Sequence, residues 1–486
     1  MAKEKNLTPR SEDFSSWYNE LVLRSELADY SPVRGSMVIR PWGYTIWENM
    51  QRALDDMFKA TGHENAYFPL LIPISFIEKE KEHVEGFKPE LAIVTNAGGK
   101  ELEDPLAIRP TSETIIMAMY AKWIQSYRDL PLLLNQWSNV VRWELRTRPF
   151  LRTSEFLWQE GHTAHASSGE AEEHTKLMLN VYRTFMEDWM AMPPVTGLKS
   201  DSEKFAGAVR SYSCEAMMQD NRALQSGTSH FLGQNFSKQF QLTFQTEKGN
   251  EEYAWNTSWG VSTRLVGGLV MTHGDDQGLV LPPKLSPVQV VIVPILKGED
   301  HGPVLEKADA IKDALTAKGI RVKIDARDFM SPGNKYYEWE RKGVPFRMEI
   351  GPKDMATGQV VLAKRMLFGE DSRKEFVPET EALATMENRL DEFQAQLLEA
   401  AKRRREDNSY RGIENLDELA EIIDTSGGYV FTGWSGDPAV EDIIKEKTKA
   451  TLRCIPEEEF QSEKTPTRCI GGEKDSTMEV VWARAY

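Results

Sequence analysis

The stretch RWELRTRPFLRTSEFLWQE, residues 142–160, decides how this chain reads. It closes an apolar run, LLLNQWSNVV from Leu132, passes through the basic segment RTRPFLRT, and opens a second apolar run that continues as GHTAHA. Two strand-like runs joined by a charged segment predict an antiparallel hairpin with a cationic loop. Side chains alternate between the faces of a strand, so Phe156, Trp158 and Glu160 share one face. That face offers two flat aromatic surfaces and a carboxylate. Arg142 and Arg152 stand on or beside the two strands and present forked donors to phosphate oxygens, and Phe156 can stack on a base. The set suits a bent nucleoside triphosphate lying on an open sheet. Taken alone, it is equally consistent with a hairpin that has a charged tip and an aromatic core face.

A second piece lies downstream, in TSWGVSTRLVGGLV, residues 257–270. Arg264 opens an apolar helix just after a strand carrying Gly260. A helix N-terminus favours anionic ligands and the arginine adds charge beside it. Gly260, Gly267 and Gly268 permit close backbone approach or tight helix packing.

Working outward, Ile46, Trp47, Met50, Leu54, Met57 and Phe58 fall at helical spacing and stop at Gly62. NAYFPLLIPI, residues 65–74, predicts an apolar strand interrupted by Pro69. Thr111 or Ser112 can cap a helix whose first turn carries Glu113. Residues 170–192 predict a long helix, and SHFLGQNF, KQFQLTFQT and EEYAWNTSWGVS predict three strands. LVLPPKLSPVQ, residues 279–289, reads as a linker. Beyond it strand and helix signals alternate, as in a small α/β domain, before Leu383, Met386, Leu390, Phe393 and Leu397 mark a long helix ending in KRRRED. The expected domains are therefore 1–285, 286–400 and 401–486.

That count agrees with 486 residues at roughly 150 per domain. A hydrophobic share of 40% rules out disorder of the whole chain. Lys and Arg number 59 against 75 Asp and Glu, a net charge of −16, which excludes a generally basic nucleic-acid coat but leaves room for a local patch. Cys214, Cys454 and Cys469 are too few and scattered for a disulfide framework. The start has no secretory apolar region and no run approaches the ~20 residues of a membrane helix, so a cytoplasmic location without membrane association is expected. His162 and His165 form H-x-x-H, but positions i and i+3 of a strand face opposite ways, against shared metal ligation.

The residues now in hand resemble class II aminoacyl-tRNA synthetases. R-W-E … R-x-x-x-F-x-x-x-E resembles motif 2, G-V-S-T-R-L-V-G-G-L motif 3, and the helix with NAYFP motif 1, with Pro69 as its proline. RPTSET, FLWQEGHTAH, KFAG, GTSHFLGQNFSK and SWGVSTR are similar to the prolyl-tRNA synthetase family of the archaeal/eukaryotic-like type, over nearly the whole chain. Thr263 departs from the acidic residue that often precedes the motif 3 arginine, a change this subtype tolerates. The resemblance implies an α/β and α+β multidomain protein. It would comprise a class II catalytic domain on an antiparallel sheet, an α/β anticodon-binding domain and a small α+β C-terminal domain. It implies ATP-dependent ligation of L-proline to tRNA(Pro) through a prolyl-adenylate, releasing AMP and diphosphate, by a homodimer whose motif 1 forms the interface.

Residue by residue, the resemblance makes Arg142 the catalytic contact to the ATP α-phosphate and the proline carboxylate, and sets Glu144 at the adenine amino group. Arg152 and Arg264 would bracket the β- and γ-phosphates, and Phe156 and Arg264 would sandwich the base. Thr153, Gln225, Thr228 and Ser262 would meet the nucleotide, with Gln225 as a Mg²⁺ ligand through its carbonyl oxygen. Thr111, Glu113, Trp158, Glu160, His162, His230 and Ser262, with Arg142, would form the proline pocket. GVPFRMEIGPKD is similar to the anticodon-reading segment, which nominates Arg347, Glu349 and Lys353. Many relatives bind zinc through four cysteines near the C-terminus. Here Ser435, Val440, Cys469 and Gly471 fall at those positions, so zinc is not expected. The run Lys402–Arg405 suits a solvated helix end as well as RNA contact. A synthetase for another amino acid of the subclass, or an inactive RNA-binding paralogue, are the competing readings.

Overall fold

The computed structural model describes residues 7–81, 91–296, 300–365, 374–472 and 474–486. The expected hairpin forms: Leu132–Val141 pairs antiparallel with Glu155–His165, from Leu132↔Ala164 to Val141↔Glu155. Its loop is closed by a bridge between Arg148 and Arg152. Outward from the second strand, Trp255–Ser262, Ala223–Gly233, Arg210–Met217 and Pro194–Leu198 add on, each antiparallel to its neighbour. One face of this sheet is covered by the long helix Ser168–Asp188, whose Tyr182, Phe185 and Met186 pack into the core that also holds Trp259 and Val261. Tyr182 donates its hydroxyl to Gln159 across that interface at 2.6 Å. Burying one face in this way leaves the other free to carry polar groups.

Helix Pro41–Ala60 follows its predicted spacing and ends ahead of Gly62, which takes φ +87°. Helix Arg264–His273 opens at the arginine as expected. The segment after Gly62 differs from the single strand read there: only Glu64–Asn65 and Leu71–Pro73 are extended partners, and Ile74 already begins helix Ile74–Lys81. Pro69 and its neighbours are held instead by fully buried Arg109, which donates to the carbonyls of Phe68 at 2.8 Å and Asn139 at 2.9 Å. A proline cannot donate to a ladder, so a side chain does the tethering. The three strands read over 229–262 also need correction. Asn235–Phe240 is a short helix closed by Gln241 at φ +55°, followed by a small hairpin, Thr243–Gln245 with Glu251–Tyr253. Phe236 and Phe240, four apart, turn one helical face onto a core with Phe68 and Tyr120.

A five-stranded sheet follows: Val290–Pro294 pairs parallel with Val322–Ile324 and Phe346–Ile350, then Gln359–Lys364 and Glu375–Pro378 add antiparallel. Helices Gly302–Thr316 and Glu379–Asp407 pack on it. Sequence periodicity does not reveal helix Pro332–Arg341, which buries only Lys335 and Trp339. The proline-rich segment 279–289 is not a loose linker: Leu279, Val280, Leu281 and Leu285 are buried, and Arg365 donates to the Leu279 carbonyl while pairing with Asp275 at 2.6 Å.

The C-terminal portion is not a free-standing module either. Residue 400 lies inside helix Glu379–Asp407, and Thr451–Pro456 pairs with Pro194–Leu198 through Ile455↔Leu198 and Pro456↔Gly197. Through that pairing, Met478–Ala483, Tyr429–Trp434 and Ser409–Tyr410 extend the catalytic sheet to eleven strands.

Candidate functional site

Strand register assembles the site on the uncovered face. His162 lies opposite Ser258, which lies opposite His230. In the next row Glu160, Gly260 and Thr228 stand side by side, and in the row after that Trp158 faces Ser262. These residues, with Thr111, Glu113, Arg142, Phe156, Gln225 and Arg264, line a cavity of about 290 Å³. Every proline-pocket residue named from the sequence is in its wall.

At one end the carboxylates are held by neighbours. Neither Thr111 nor Ser112 caps the helix Glu113–Trp123 through its side chain. The Thr111 hydroxyl donates to the Glu113 carboxylate, and the Ser112 hydroxyl donates to Glu160 Oε1 at 2.5 Å. Gln136 donates to the same oxygen at 2.8 Å, and His162 Nε2 meets Glu160 Oε2 at 2.9 Å. Burial opposes charge on Glu160, but the His162 bond and charge, with Ser112 and Gln136, hold its carboxyl below the usual range. Burial likewise pushes His162 down, and Glu160 and then Glu113 outweigh it, leaving the imidazole above its ordinary value. His230 has no such partner: burial, then the charge of His162, pushes it to about 3, so it is neutral. The His230 Nδ1 contacts the Ser211 hydroxyl at 2.8 Å and its ring packs 4.9 Å from Phe205.

At the other end the guanidinium groups gather. Arg142 reaches the open cavity beside the adjacent rings of Phe156 and Trp158, 5.6 and 5.5 Å from their centres, and donates to the Pro110 carbonyl at 2.9 Å. Surrounding protein lowers its pKa although Glu113 and Glu160 counter the effect. Arg264 is lowered to about 10 by burial, then by the charges of Arg152 and Arg142. Arg142 and Arg152 repel Arg264 despite the carboxylates nearby, and such mutual repulsion marks a place for an anion.

Three residues expected at the nucleotide are not in the cavity wall. Glu144 and Arg152 pair with each other at 3.8 Å, and the Thr153 hydroxyl donates to the Glu155 carbonyl at 2.6 Å. Conversely, Lys199, Glu203, Lys204, Phe205, Ser226 and Ser258 line the cavity without having been singled out. Strand parity from Gly260 and Ser262 could have found Ser258; the KFAG block contains Lys204 and Phe205; nothing local marks Lys199.

His162 and His165 do face opposite ways, His165 contacting Thr163 at 2.8 Å and packing 4.9 Å from the His174 ring. Among the described residues no three His, Cys, Asp or Glu side chains converge as a metal site. At the C-terminal positions aligned with zinc ligands, Val440 and Cys469 are buried in an apolar core and Gly471 closes on Val440, where a Cβ would lie 2.8 Å from Cγ1. In the second sheet, Arg347 pairs with Glu349 at 3.1 Å and lies 4.0 Å over the Tyr336 ring, while Lys353 is exposed on the following helix, Pro352–Thr357.

An antiparallel sheet with an arginine beyond its hairpin strand and another at the N-terminus of helix Arg264–His273 is the core of a class II aminoacyl-tRNA synthetase. Family models agree: residues 93–273 match the tRNA synthetase class II core domain (G, H, P, S and T), 289–389 the anticodon binding domain, and 416–486 the prolyl-tRNA synthetase C-terminal domain. The chain is 54% identical to the proline–tRNA ligase of Chlorobium phaeobacteroides over 99% of both chains, and 53% identical to that of Porphyromonas gingivalis over all of both. It superposes on a prolyl-tRNA synthetase from Cryptosporidium parvum, solved with halofuginone and AMPPNP, with a TM-score of 0.93 at 41% identity, covering 99% of each. The chain belongs to the prolyl-tRNA synthetase family.

Proposed function

We propose the following assignment of the reaction to residues. The enzyme activates L-proline with ATP and transfers it to tRNA. The observation that carries the assignment is one cavity with carboxylates at one end and arginines at the other. Proline is a secondary ammonium with an apolar ring. Glu113 and the Thr111 hydroxyl accept from its nitrogen, and Trp158 and His162 flank the ring. ATP lies towards Phe156, Gln225, Thr228 and Arg264, with Arg152, Glu144 and Thr153 closing on it from the motif 2 loop. Arg142 stands between the two substrates and stabilises charge as the proline carboxylate attacks the α-phosphorus. No enzyme nucleophile is required; positioning and electrostatics supply the rate. A terminal ribose hydroxyl of tRNA(Pro) then attacks the prolyl-adenylate.

For Mg²⁺, the wall offers the Gln225 amide oxygen and no cluster of three acidic or imidazole ligands among the described residues. That donor set fits an ion held chiefly by triphosphate oxygens, where it would neutralise phosphate charge. Arg347, Glu349 and Lys353 read anticodon bases. The chain is organised as a catalytic domain over 1–285, an anticodon-binding domain over 286–400 and a C-terminal domain over 401–486, with helix Glu379–Asp407 crossing the last boundary. A homodimer is supported by exposed Tyr30, Val38, Tyr44, Tyr67 and Leu71, which lie on, before or just after the motif 1 elements, and a cytoplasmic location by kinship with enzymes of translation; no helix among the described residues is long and apolar enough to cross a membrane. The deciding experiment is proline-dependent ATP–pyrophosphate exchange by the purified chain beside a panel of other amino acids. Faster exchange with any of those would overturn the substrate assignment.

A further inference from the structure

Glu215 is a buried carboxylate that the reaction scheme does not use. It lies on Arg210–Met217, and both of its oxygens are taken. Lys199 pairs with Oε1 at 2.9 Å and the Ser213 hydroxyl donates to it at 2.8 Å. Arg453 donates twice to Oε2, from Nε at 3.0 Å and Nη2 at 2.8 Å. Lys199 also donates to the Arg453 carbonyl at 2.8 Å, and the Tyr429 hydroxyl donates to the Glu215 carbonyl at 3.0 Å. The side chains of Lys199, Glu215 and Arg453 are all less than a tenth exposed. Arg453 and Tyr429 come from the C-terminal segment, so that segment grips one catalytic-sheet residue by side chain and backbone together.

The position of Glu215 gives the grip a consequence. Between Cys214 and Glu215 the pairing with Ala223–Gly233 slips: Cys214 faces Gly227 and Glu215 faces Gln225, leaving Ser226 as an extra residue. This bulge bends the strand where Gln225, Ser226, Gly227 and Thr228 enter the cavity wall. The Gln225 carbonyl accepts from Arg264 Nη1 at 3.4 Å. A continuous path of hydrogen bonds and ladder pairing therefore runs from Arg453 and Tyr429 through Glu215 to Gln225 and Arg264. A buried ion cluster is weak evidence for stability, since desolvation offsets much of its attraction. Bulges beside active sites are instead devices that re-aim side chains.

We propose that Arg453 and Tyr429 are positioning residues for the nucleotide half of the site: by holding Glu215 they set the bulge that places Gln225 and Arg264. The C-terminal segment thereby completes the ATP site without touching ATP. This rests on the assignment of that end of the cavity to ATP.

The test uses the full chain in ATP–pyrophosphate exchange, titrating ATP and proline separately. Arg453→Met should lower kcat/KM for ATP ~10- to 100-fold, the scale of a small misplacement of positioning groups, while KM for proline stays within about twofold. Arg453→Lys, keeping the charge on one donor, should fall between. Tyr429→Phe removes only the bond to the Glu215 carbonyl and should act in the same direction by ~2- to 5-fold. Should Arg453→Met fail to fold, the double variant Glu215→Gln/Arg453→Met leaves the cluster with its original net charge, carried by Lys199, and should show the same ATP-selective loss. Wild-type ATP kinetics in a folded Arg453 variant, or equal rises in KM for ATP and proline, would overturn the positioning role. Absence of proline-dependent exchange in the unaltered chain would instead overturn the functional assignment beneath it.

Discussion

Glu160→Gln tests the ion pair inside the proline pocket, because its effect must depend on pH in a stated direction. Glu160 and His162 are both almost fully buried and meet at 2.9 Å. The raised imidazole contributes stability that is complete below its unfolded value of 6.5 and is lost as pH rises through the higher folded value. The depressed carboxyl contributes stability that is complete above its unfolded value of 4.5 and is lost as pH falls through the lower folded value. The two contributions overlap fully between pH 4.5 and 6.5. At about pH 6 the substitution leaves a buried imidazolium without its anion and should cost ~3–5 kcal/mol, the usual result of removing one partner of a buried pair. As pH rises from about 6 towards about 9, through the raised folded value, His162 gives up its proton and the ion-pair part of the loss falls with it. Only hydrogen bonds from His162, Ser112 and Gln136 to a charged oxygen are then weakened, worth ~1.5–3 kcal/mol in all. Urea unfolding of both proteins at the two pH values, followed on the catalytic-domain transition, gives the comparison. A loss as large at about pH 9 as at about pH 6 would refute the ion pair as the source of the effect.

Arg142→Ala should reduce exchange by ~10²–10³ with little change in melting temperature, because its side chain lines the cavity and is tied to the fold by a hydrogen bond to the Pro110 carbonyl; near-normal exchange would remove it from the transition state. Gly161→Ala would bring a Cβ to 2.0 Å from the Trp259 ring, which Phe58 and His63 hold at 4.9 Å each. That overpacking should cost at least ~1–3 kcal/mol and lower the melting temperature by several degrees, whereas an unshifted melt would mean the ring has room to move. Elemental analysis should find far less than about one zinc per chain, because one cysteine cannot close a four-ligand site; a stoichiometric metal would contradict the alignment of Ser435, Val440 and Gly471 with lost ligands. Alanyl-tRNA(Pro) should not be deacylated above the uncatalysed rate, since the interval from Glu160 to Trp259 is built into the catalytic sheet, its helix and short connections, short of the ~100–150 residues a further domain needs. Alanine should still be activated slowly, a missing methylene being worth only ~1–3 kcal/mol of discrimination.

The sequence by itself determined the hairpin, the face shared by Phe156, Trp158 and Glu160, and the helix opening at Arg264. Each is a local pattern: alternation along one strand, helical spacing, or a charge at a helix start. The same locality explains the misreadings. Asn235–Phe240 has apolar residues that suit a strand or a helix, and only the core with Phe68 and Tyr120 selected the helix. Thr111 and Ser112 have the chemistry of helix caps, yet Glu113 and Glu160 compete for their hydroxyls and win. Tertiary structure alone set His162 beside Ser258 and His230, brought Lys199 into the cavity wall, and joined Thr451–Pro456 to Pro194–Leu198 so that Arg453 reaches Glu215. The physical reason is that ladder hydrogen bonds are made by backbone groups common to every residue. Which distant strands pair, and in which register, is decided by what all the faces bury together, and no single segment carries that information.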